Sequence, residues 1–300
     1  MHRLPTRQSI NWLARLLPYP ILFTVLGCTL FSPSPTPTPS PTPTPIPSPT
    51  PRPTSTPEPA DTGWQSLQPG VKLRQILVGT SSPPAAPGGV NERLTIVRLD
   101  PSAVHFRVHY DPDNPLTMRG WAERLQPLLV VNGGYFSPEN ETTGLLVSDG
   151  KKWGAAYGDF AGFFAVTADE QVSVRWLKDQ PYDPAEPLAQ GVMSFPVLVK
   201  PGGVMGFPAD ADEGTPARRT VVAQDFGGRI LLIVAPRGYL GLHELAVFLA
   251  ESDLGIYVAL NLDGGYSTGL WLEADEGSAR IDSRVAVPSV ISVETRDGTR

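Results

Sequence analysis

The chain has 300 residues, with 24 Lys and Arg against 30 Asp and Glu and a net charge of −6. That balance argues against nucleic acid as a partner, which needs a clustered basic face. It leaves room for an anionic small substrate held by a local cation. The only cysteine is Cys28, so the mature domain has neither an internal disulfide nor a thiol nucleophile.

Residues 1–28 read as a secretory leader. Arg3, Arg7 and Arg15 form a basic n-region, and Leu16 to Leu26 an apolar h-region broken by Pro18 and Pro20. That run is too short to span a bilayer comfortably as a helix. It ends Val25-Leu26-Gly27-Cys28, which resembles a bacterial lipobox, where the cysteine is acylated and becomes the new N-terminus. The expectation is an extracytoplasmic protein, lipid-anchored to a bacterial membrane through Cys28. An uncleaved signal anchor, or a leader cut elsewhere, is the alternative.

Residues 29–62 read as a linker. From Ser32 to Pro59 proline alternates with Ser or Thr. Proline fixes φ and removes donors, so neither helix nor sheet forms. An extended polyproline II stalk is expected, at roughly 3.1 Å per residue and about 80 Å in all. The folded domain is expected at 63–300, about 240 residues and enough for one sizeable core.

Alternation from Val71 to Val78 predicts a first strand. Ser81 to Gly89 is a Pro- and Gly-rich loop. Leu94–Leu99 and Val104–Tyr110 are strands joined at Asp100-Pro101-Ser102. His105 and His109 share a face of the second strand but lie over ~13 Å apart, too far for one metal. Thr117 to Leu125 has helical spacing and is stopped by Pro127. The buried strand Leu128–Val131 runs into Asn132-Gly133-Gly134-Tyr135-Phe136, followed by a polar loop with Glu139 and Glu141.

Gly144–Lys151 reads as a strand and tight turn. Phe163–Val166 and Val172–Trp176 pair across Asp169-Glu170, and Gln190–Lys200 is apolar with an internal Pro196. Ala217–Asp225 starts a hairpin that turns at Phe226–Arg229 and returns as Ile230–Ala235, with a loop at Gly238–Gly241. Leu242 to Ser252 is a helix with Leu242, Leu245, Ala246, Leu249 and Ala250 on one stripe. His243 and Glu244 fall off the stripe and are expected in solvent. Tyr257–Leu262 is a buried strand leading to Asp263-Gly264-Gly265. Arg280–Val285 and Val290–Val293 read as edge or returning strands. The expected class is α+β: one domain with a predominantly antiparallel or mixed sheet core and a few flanking helices.

The two Gly-Gly stretches echo each other. Leu129-Val130-Val131-Asn132-Gly133-Gly134 and Leu260-Asn261-Leu262-Asp263-Gly264-Gly265 each end an apolar run in polar residues and bare backbone. Between them lie Gly144-Leu145, Asp149-Gly150-Lys151, Ser194-Phe195-Pro196-Val197-Leu198, Arg219-Thr220 and Gly241-Leu242 with Glu244-Leu245-Ala246. In this order and spacing the set resembles the phosphodiester glycosidase family over about residues 90–295. The family pattern differs in having a third glycine at Tyr266, Ser at Thr268, and an Asp-Gly where this chain reads Ala235-Pro236-Arg237-Gly238.

The resemblance implies hydrolysis of a sugar-1-phosphodiester, with α-N-acetylglucosamine-1-phosphodiester one candidate, on envelope or extracellular glycans. Arg219 suits bidentate binding of phosphate. Arg218 points to the opposite face of its strand, so only one of the pair lines a site. Asp263, Arg219 and Asn132 are the candidate catalytic residues. Asn261, Thr220, Glu139, Gly133, Gly134, Gly264 and Gly265 are candidates for substrate binding, the four glycines by forming a backbone anion nest. Asn132 and Asn261 can each donate to and accept from sugar hydroxyls.

Asp263 can stabilise an oxocarbenium charge, act as nucleophile or activate water; the sequence leaves the three open. Glu139 or Glu141 can supply a second acid, or be solvated loop residues. No metal constellation, no cofactor and no obligate protein partner is expected; the partners are a carbohydrate phosphodiester and a membrane. The rival reading is a non-catalytic carbohydrate-binding or envelope-organising lipoprotein on the same fold.

Overall fold

The computed structural model describes residues 59–80 and 90–296. Cys28, most of the Pro-rich stretch, the 81–89 loop and the last four residues lie outside the described part.

The chain opens with β1 (Gln65–Gln68), β2 (Val71–Thr80), β3 (Val90–Leu99) and β4 (Val104–Tyr110). Helix α1 (Met118–Leu125) precedes β5 (Leu129–Asn132). Then come β6 (Leu146–Ser148), β7 (Lys151–Trp153), β8 (Gly162–Thr167), β9 (Val172–Trp176), β10 (Leu188–Ser194), β11 (Val197–Lys200) and β12 (Val204–Met205). The long hairpin is β13 (Ala217–Asp225) and β14 (Ile230–Leu240). Helix α2 (Leu242–Glu251) and β15 (Ile256–Asn261) follow. The chain closes with β16 (Leu270–Ala274), β17 (Gly277–Ile281) and β18 (Ser289–Thr295).

Three sheets result. One has eight strands in the order β1-β2-β3-β14-β13-β15-β11-β12. Two have five, ordered β7-β6-β10-β8-β9 and β17-β16-β5-β18-β4. Every named strand pairing among the described residues is antiparallel. The α+β class with an antiparallel core and a few helices therefore stands. The core is divided among three sheets, because strands adjacent in sequence often part company. β3 and β4 join different sheets, and β10 and β11 part at the cis Phe195–Pro196 bond.

The main core lies where the inner faces of all three sheets meet. Val97, Val222 and Leu260 come from the first sheet, Phe164 and Val192 from the second, and Val131 and Ile291 from the third. Burying each such side chain fully is worth about 1.5–3 kcal/mol. The outer face of the large sheet packs Val221, Ala223 and Ile233 against Leu245, Ala246 and Leu249 of α2. Met118 and Trp121 of α1 cover Val130 and Val290. Helix α1 begins where Thr117 accepts the Gly120 N–H and ends at Gln126, which is left-handed.

Several expectations change. Ala60 to Thr62, read as linker, already hydrogen-bond to β2, and Asp61 pairs with Arg74 at 2.6 Å. β1 was not foreseen. β18 is central, between β5 and β4. His243 and Glu244 are not left to solvent. The His243 ring contacts the Phe207 carbonyl, and Glu244 accepts from Gly241 N to cap α2.

The 238–241 loop is also replaced by strand. β14 continues to Leu240, but its register jumps from Ala235 opposite Arg219 to Leu240 opposite Ala217. The resulting bulge is held by Glu92, fully buried, whose carboxylate accepts the N–H groups of Arg237, Gly238 and Tyr239 at 2.8–2.9 Å. A carboxylate from β3 thus fills the loop that the Ala235–Gly238 sequence left without an acid of its own.

Candidate active site

β5, β15 and β13 bring the two Gly-Gly stretches to one end of the molecule. β13 and β15 pair Val221 with Asn261, and Leu262 N donates to Thr220 O at 2.8 Å. Beyond the strand, Asp263 N donates to Gly133 O at 3.2 Å and Gly265 N to Arg218 O at 2.8 Å. The Asp263 loop is thereby clamped between the end of β5 and the start of β13.

Asn132 locks this junction. Its Oδ1 accepts from the Thr220 hydroxyl at 2.8 Å and from Gly269 N at 3.1 Å, and its Nδ2 donates to Asp263 O at 2.8 Å. A weaker contact reaches Gly133 O at 3.4 Å. Asn132 is 1% exposed and Thr220 0%. Their hydrogen-bonding capacity is spent inside the protein, so the expected contact of either with substrate is corrected to a framing one.

Three of the four glycines, Gly133, Gly264 and Gly265, are needed for another reason than the expected anion nest. Gly133 N donates to Ser289 O, Gly264 N to its neighbour Asp263 Oδ1, and Gly265 N to Arg218 O. Those N–H groups are occupied. What matters is space. A Cβ on Gly133 would lie 2.4 Å from Ser289 Oγ, one on Gly134 3.0 Å from Val192, and one on Gly264 2.9 Å from Arg218 O. Gly265 faces open space and is required by its φ of +60°.

Strand alternation puts Arg219, Val221 and Asn261 on the opposite face from Thr220 and Arg218. Tyr135 joins that face. Its hydroxyl accepts from Asn261 Nδ2 at 2.8 Å and donates to Phe195 O at 3.1 Å. Asn261 Nδ2 also meets Phe195 O at 3.1 Å and Leu262 O at 2.8 Å, which fixes the orientation of its amide. Its Oδ1 is buried with no hydrogen-bond partner among the described residues.

Arg219 is anchored by two carbonyls, Thr215 O at 2.9 Å from Nη2 and Leu240 O at 3.4 Å from Nε. It is half-buried, and among the described residues no carboxylate lies within salt-bridge distance of it. Burial pulls its pKa down, and the nearby Tyr135 and Asp212 oppose that shift. Burial pushes the Asp263 carboxyl up; hydrogen bonds from Ser267 and Gly264 N hold it back. The Tyr135 hydroxyl is raised well above the usual phenol range, first by burial and then by the charge of Asp263, with Arg219 acting against. Tyr135 therefore senses the anion and the cation, which make no salt bridge with each other.

Tyr135 and Ser267 are members of the group beyond the expected site residues. The signal was present, since an aromatic follows the first Gly-Gly and Ser267 stands four residues after Asp263. Glu139 does not join the group. It is exposed on the 137–143 loop, and only its backbone N–H is bound, to Ser137 Oγ. Tyr266 does not crowd the site: its side chain is 65% exposed, with the Arg284 guanidinium 5.9 Å from the ring centre. Among the described residues, no three His, Cys, Asp or Glu gather as a metal site.

The model of a phosphodiester glycosidase domain matches residues 126–294, more than half of the chain. The chain belongs to the phosphodiester glycosidase family. Asn132, Tyr135, Arg219, Asn261 and Asp263 all fall within the matched region. Among solved structures, the catalytic domain of zebrafish N-acetylglucosamine-1-phosphodiester α-N-acetylglucosaminidase, auto-inhibited by its pro-peptide, has a similar fold. It superposes with a TM-score of 0.60 at 19% identity, covering 77% of this chain and 86% of that one. A hypothetical protein from Synechocystis has a TM-score of 0.51 at 17% identity, covering 76% of this chain and 62% of that one. At such identities the likeness concerns fold. No curated protein matches the chain by sequence.

Proposed function

We propose that this phosphodiester glycosidase cleaves the bond between an anomeric carbon and the oxygen of a phosphodiester. The observation that carries this reading is that a half-buried Arg219, with no carboxylate at salt-bridge distance among the described residues, and the partly buried Asp263 both act electrostatically on Tyr135. Arg219 binds the phosphate, its planar fork aimed by the carbonyls of Thr215 and Leu240. Asp263 acts at the anomeric carbon, where the transition state is oxocarbenium-like and a carboxylate is stabilising.

Ordinary glycoside hydrolysis uses a second carboxyl to protonate the leaving oxygen. Here the leaving group is a phosphate monoester, whose second pKa is about 6. It departs without strong protonation, so one carboxylate suffices. A water oxygen ends on the anomeric carbon as the C–O bond breaks. Asn261, as buried as Asn132, holds the Tyr135 hydroxyl, and Asn132 with Thr220 holds the loop carrying Asp263.

The zebrafish enzyme's name makes α-N-acetylglucosamine-1-phosphodiester the first substrate to try. The rival reading, glycan binding without turnover, is motivated by Tyr266 and Ala235. The exposure of Tyr266 and the Glu92-filled bulge remove much of that motive. We further propose that the protein is extracytoplasmic and lipid-anchored at Cys28. Metabolic labelling with a fatty acid, lost in Cys28→Ala, tests this.

The decisive assay incubates the purified protein with a panel of sugar-1-phosphodiesters and reads free sugar. Release by the parent protein, and its loss in Asp263→Asn and Arg219→Ala with folding unchanged, is expected. Binding of the panel without any product over long incubation would replace this reading with the rival one.

A further inference from the structure

Beside the proposed catalytic face lies an aromatic group that the chemistry above does not use. The Phe195 ring is 4.8 Å from the Tyr135 ring, 5.2 Å from Tyr157 and 5.7 Å from Phe160. Tyr157 and Phe160 are themselves 5.9 Å apart. Phe160 is 57% exposed, although two other rings, Tyr157 and Phe195, stand beside it. A large ring held in place by neighbouring rings and still open to water gives an apolar face that a ligand can cover.

The sequence builds this surface deliberately. Tyr157 and Phe160 sit on the segment after β7, which lies against Gly144. A Cβ on Gly144 would be 2.5 Å from the Tyr157 ring, and one on Gly154 2.2 Å from Gly144 O. Only paired glycines let the segment approach so closely. A short hydrogen bond of 2.5 Å between the Thr143 and Tyr157 hydroxyls then fixes the Tyr157 ring. The rings meet at 45–84°, Tyr157 and Phe160 each edge to face with Phe195, which leaves the Phe160 ring as the exposed apolar face with hydroxyl groups near its edge.

The surface is continuous with the catalytic face. Phe195 contributes its ring to the platform, while its carbonyl receives both the Tyr135 hydroxyl and Asn261 Nδ2. Asn261 also carries a buried side-chain oxygen with no hydrogen-bond partner among the described residues. A ligand seated here needs an apolar face to lie on the exposed Phe160 ring, hydroxyls at its edge and a link to the phosphate held by Arg219. A pyranose ring has that shape. Its axial C–H groups form an apolar face that suits the negative face of an aromatic ring, and its equatorial hydroxyls lie around the rim.

We propose that the exposed Phe160 ring, backed by Tyr157 and Phe195, forms a stacking subsite for a pyranose ring of the substrate. The proposal rests on the phosphodiester reading of the adjacent face. The ring is either the glycosyl unit or a sugar on the far side of the phosphate. Its affinity comes from stacking, and the anionic phosphate adds its own through Arg219.

The test measures binding by saturation-transfer NMR, and turnover where it occurs, in the full protein. The probes are methyl α-N-acetylglucosaminide, a sugar-1-phosphodiester with a non-sugar aglycone, one with a sugar aglycone, and inorganic phosphate. The variants are Phe160→Ala and Tyr157→Ala, with Phe160→Leu keeping an apolar side chain but not the flat ring. Phe160 is exposed, so its loss should leave folding intact.

Phe160→Ala should weaken sugar binding and raise KM by about tenfold with kcat little changed, as expected for uniform binding. Phosphate binding should not change. Loss of affinity for both phosphodiesters and the methyl glycoside assigns the glycosyl ring. Loss confined to the sugar aglycone assigns the far side. Stacking that persists without any turnover would overturn the enzymatic reading and leave the subsite standing. Parent-like sugar binding and KM in both alanine variants, or no sugar binding by the parent protein, would overturn the subsite.

Discussion

The Tyr135 hydroxyl accepts a 2.8 Å hydrogen bond from Asn261 Nδ2. That contact ties the residue after the first Gly-Gly pair to the residue two before Asp263. Removing it in Tyr135→Phe leaves the Asn261 amide with its two carbonyl partners and less restraint. The expected stability loss is about 1 kcal/mol. A larger fall in kcat/KM, measured beside a urea melt, is the signature of a positioning role. Equal, small changes in both would reduce Tyr135 to a packing residue.

Asp263 predicts a pH dependence. Burial raises its folded pKa above the unfolded value of about 3.9. The folded state then binds the proton more tightly than the unfolded one. This group's contribution to stability is most favourable below the unfolded pKa and declines as pH rises through the folded pKa. Asp263→Asn removes that decline. The variant should gain stability relative to the parent between acid and neutral pH while losing turnover. The acid limb of the parent's kcat/KM profile should lie above the ordinary aspartate range. Denaturant titrations at several pH values check the first point and a pH–rate profile the second.

Arg219→Lys keeps the charge and loses the fork. A lysine cannot hold both the Thr215 and Leu240 carbonyls while meeting two phosphate oxygens. A loss of about 2–5 kcal/mol in transition-state binding is expected. Competition by inorganic phosphate should weaken in parallel. Turnover close to that of the parent would remove Arg219 from the proposed chemistry.

Asn132→Ala strands the Thr220 hydroxyl, Gly269 N and Asp263 O in a buried site. The expected destabilisation is about 3 kcal/mol or more, and about 1–2 for Thr220→Val. The two should couple in a double-mutant cycle, because they share one hydrogen bond at 2.8 Å. Additive losses would contradict the shared frame.

Gly133→Ala and Gly265→Ala separate space from backbone strain. The first puts a Cβ 2.4 Å from Ser289 Oγ; the second meets nothing but sits at φ +60°. Gly133→Ala should be the more damaging. Gly265→Ala should cost about 1–2 kcal/mol. Thermal melts of both rank them directly.

Local pattern made much of this readable. The Leu129–Asn132 and Ile256–Asn261 strands appear because continuous apolar runs end at Gly-Gly, and helix α2 shows its stripe. Arg219 and Asp263 could be named because each lies in a short ordered pattern. What escaped detection depends on contacts far apart in sequence. The division into three sheets turns on which strands pair, which periodicity does not encode. Thr220 and Asn132 are 88 residues apart, and their mutual saturation is invisible until both are placed. Glu92 entering the β14 bulge from 145 residues away is of the same kind.

Asn132 precedes Gly133, and an Asn-Gly pair is the sequence most prone to chemical ageing. Its backbone nitrogen attacks the side-chain amide, closes a succinimide ring and expels ammonia. Here that nitrogen is held by Ser289 O at 2.9 Å, and the Asn132 amide is held from both ends. The attack geometry is withheld as long as the chain is folded. Deamidation at this pair would therefore record opening of the Asn132–Asp263 junction, a slow chemical clock whose mark is the loss of the Nδ2 donor that holds the Asp263 loop.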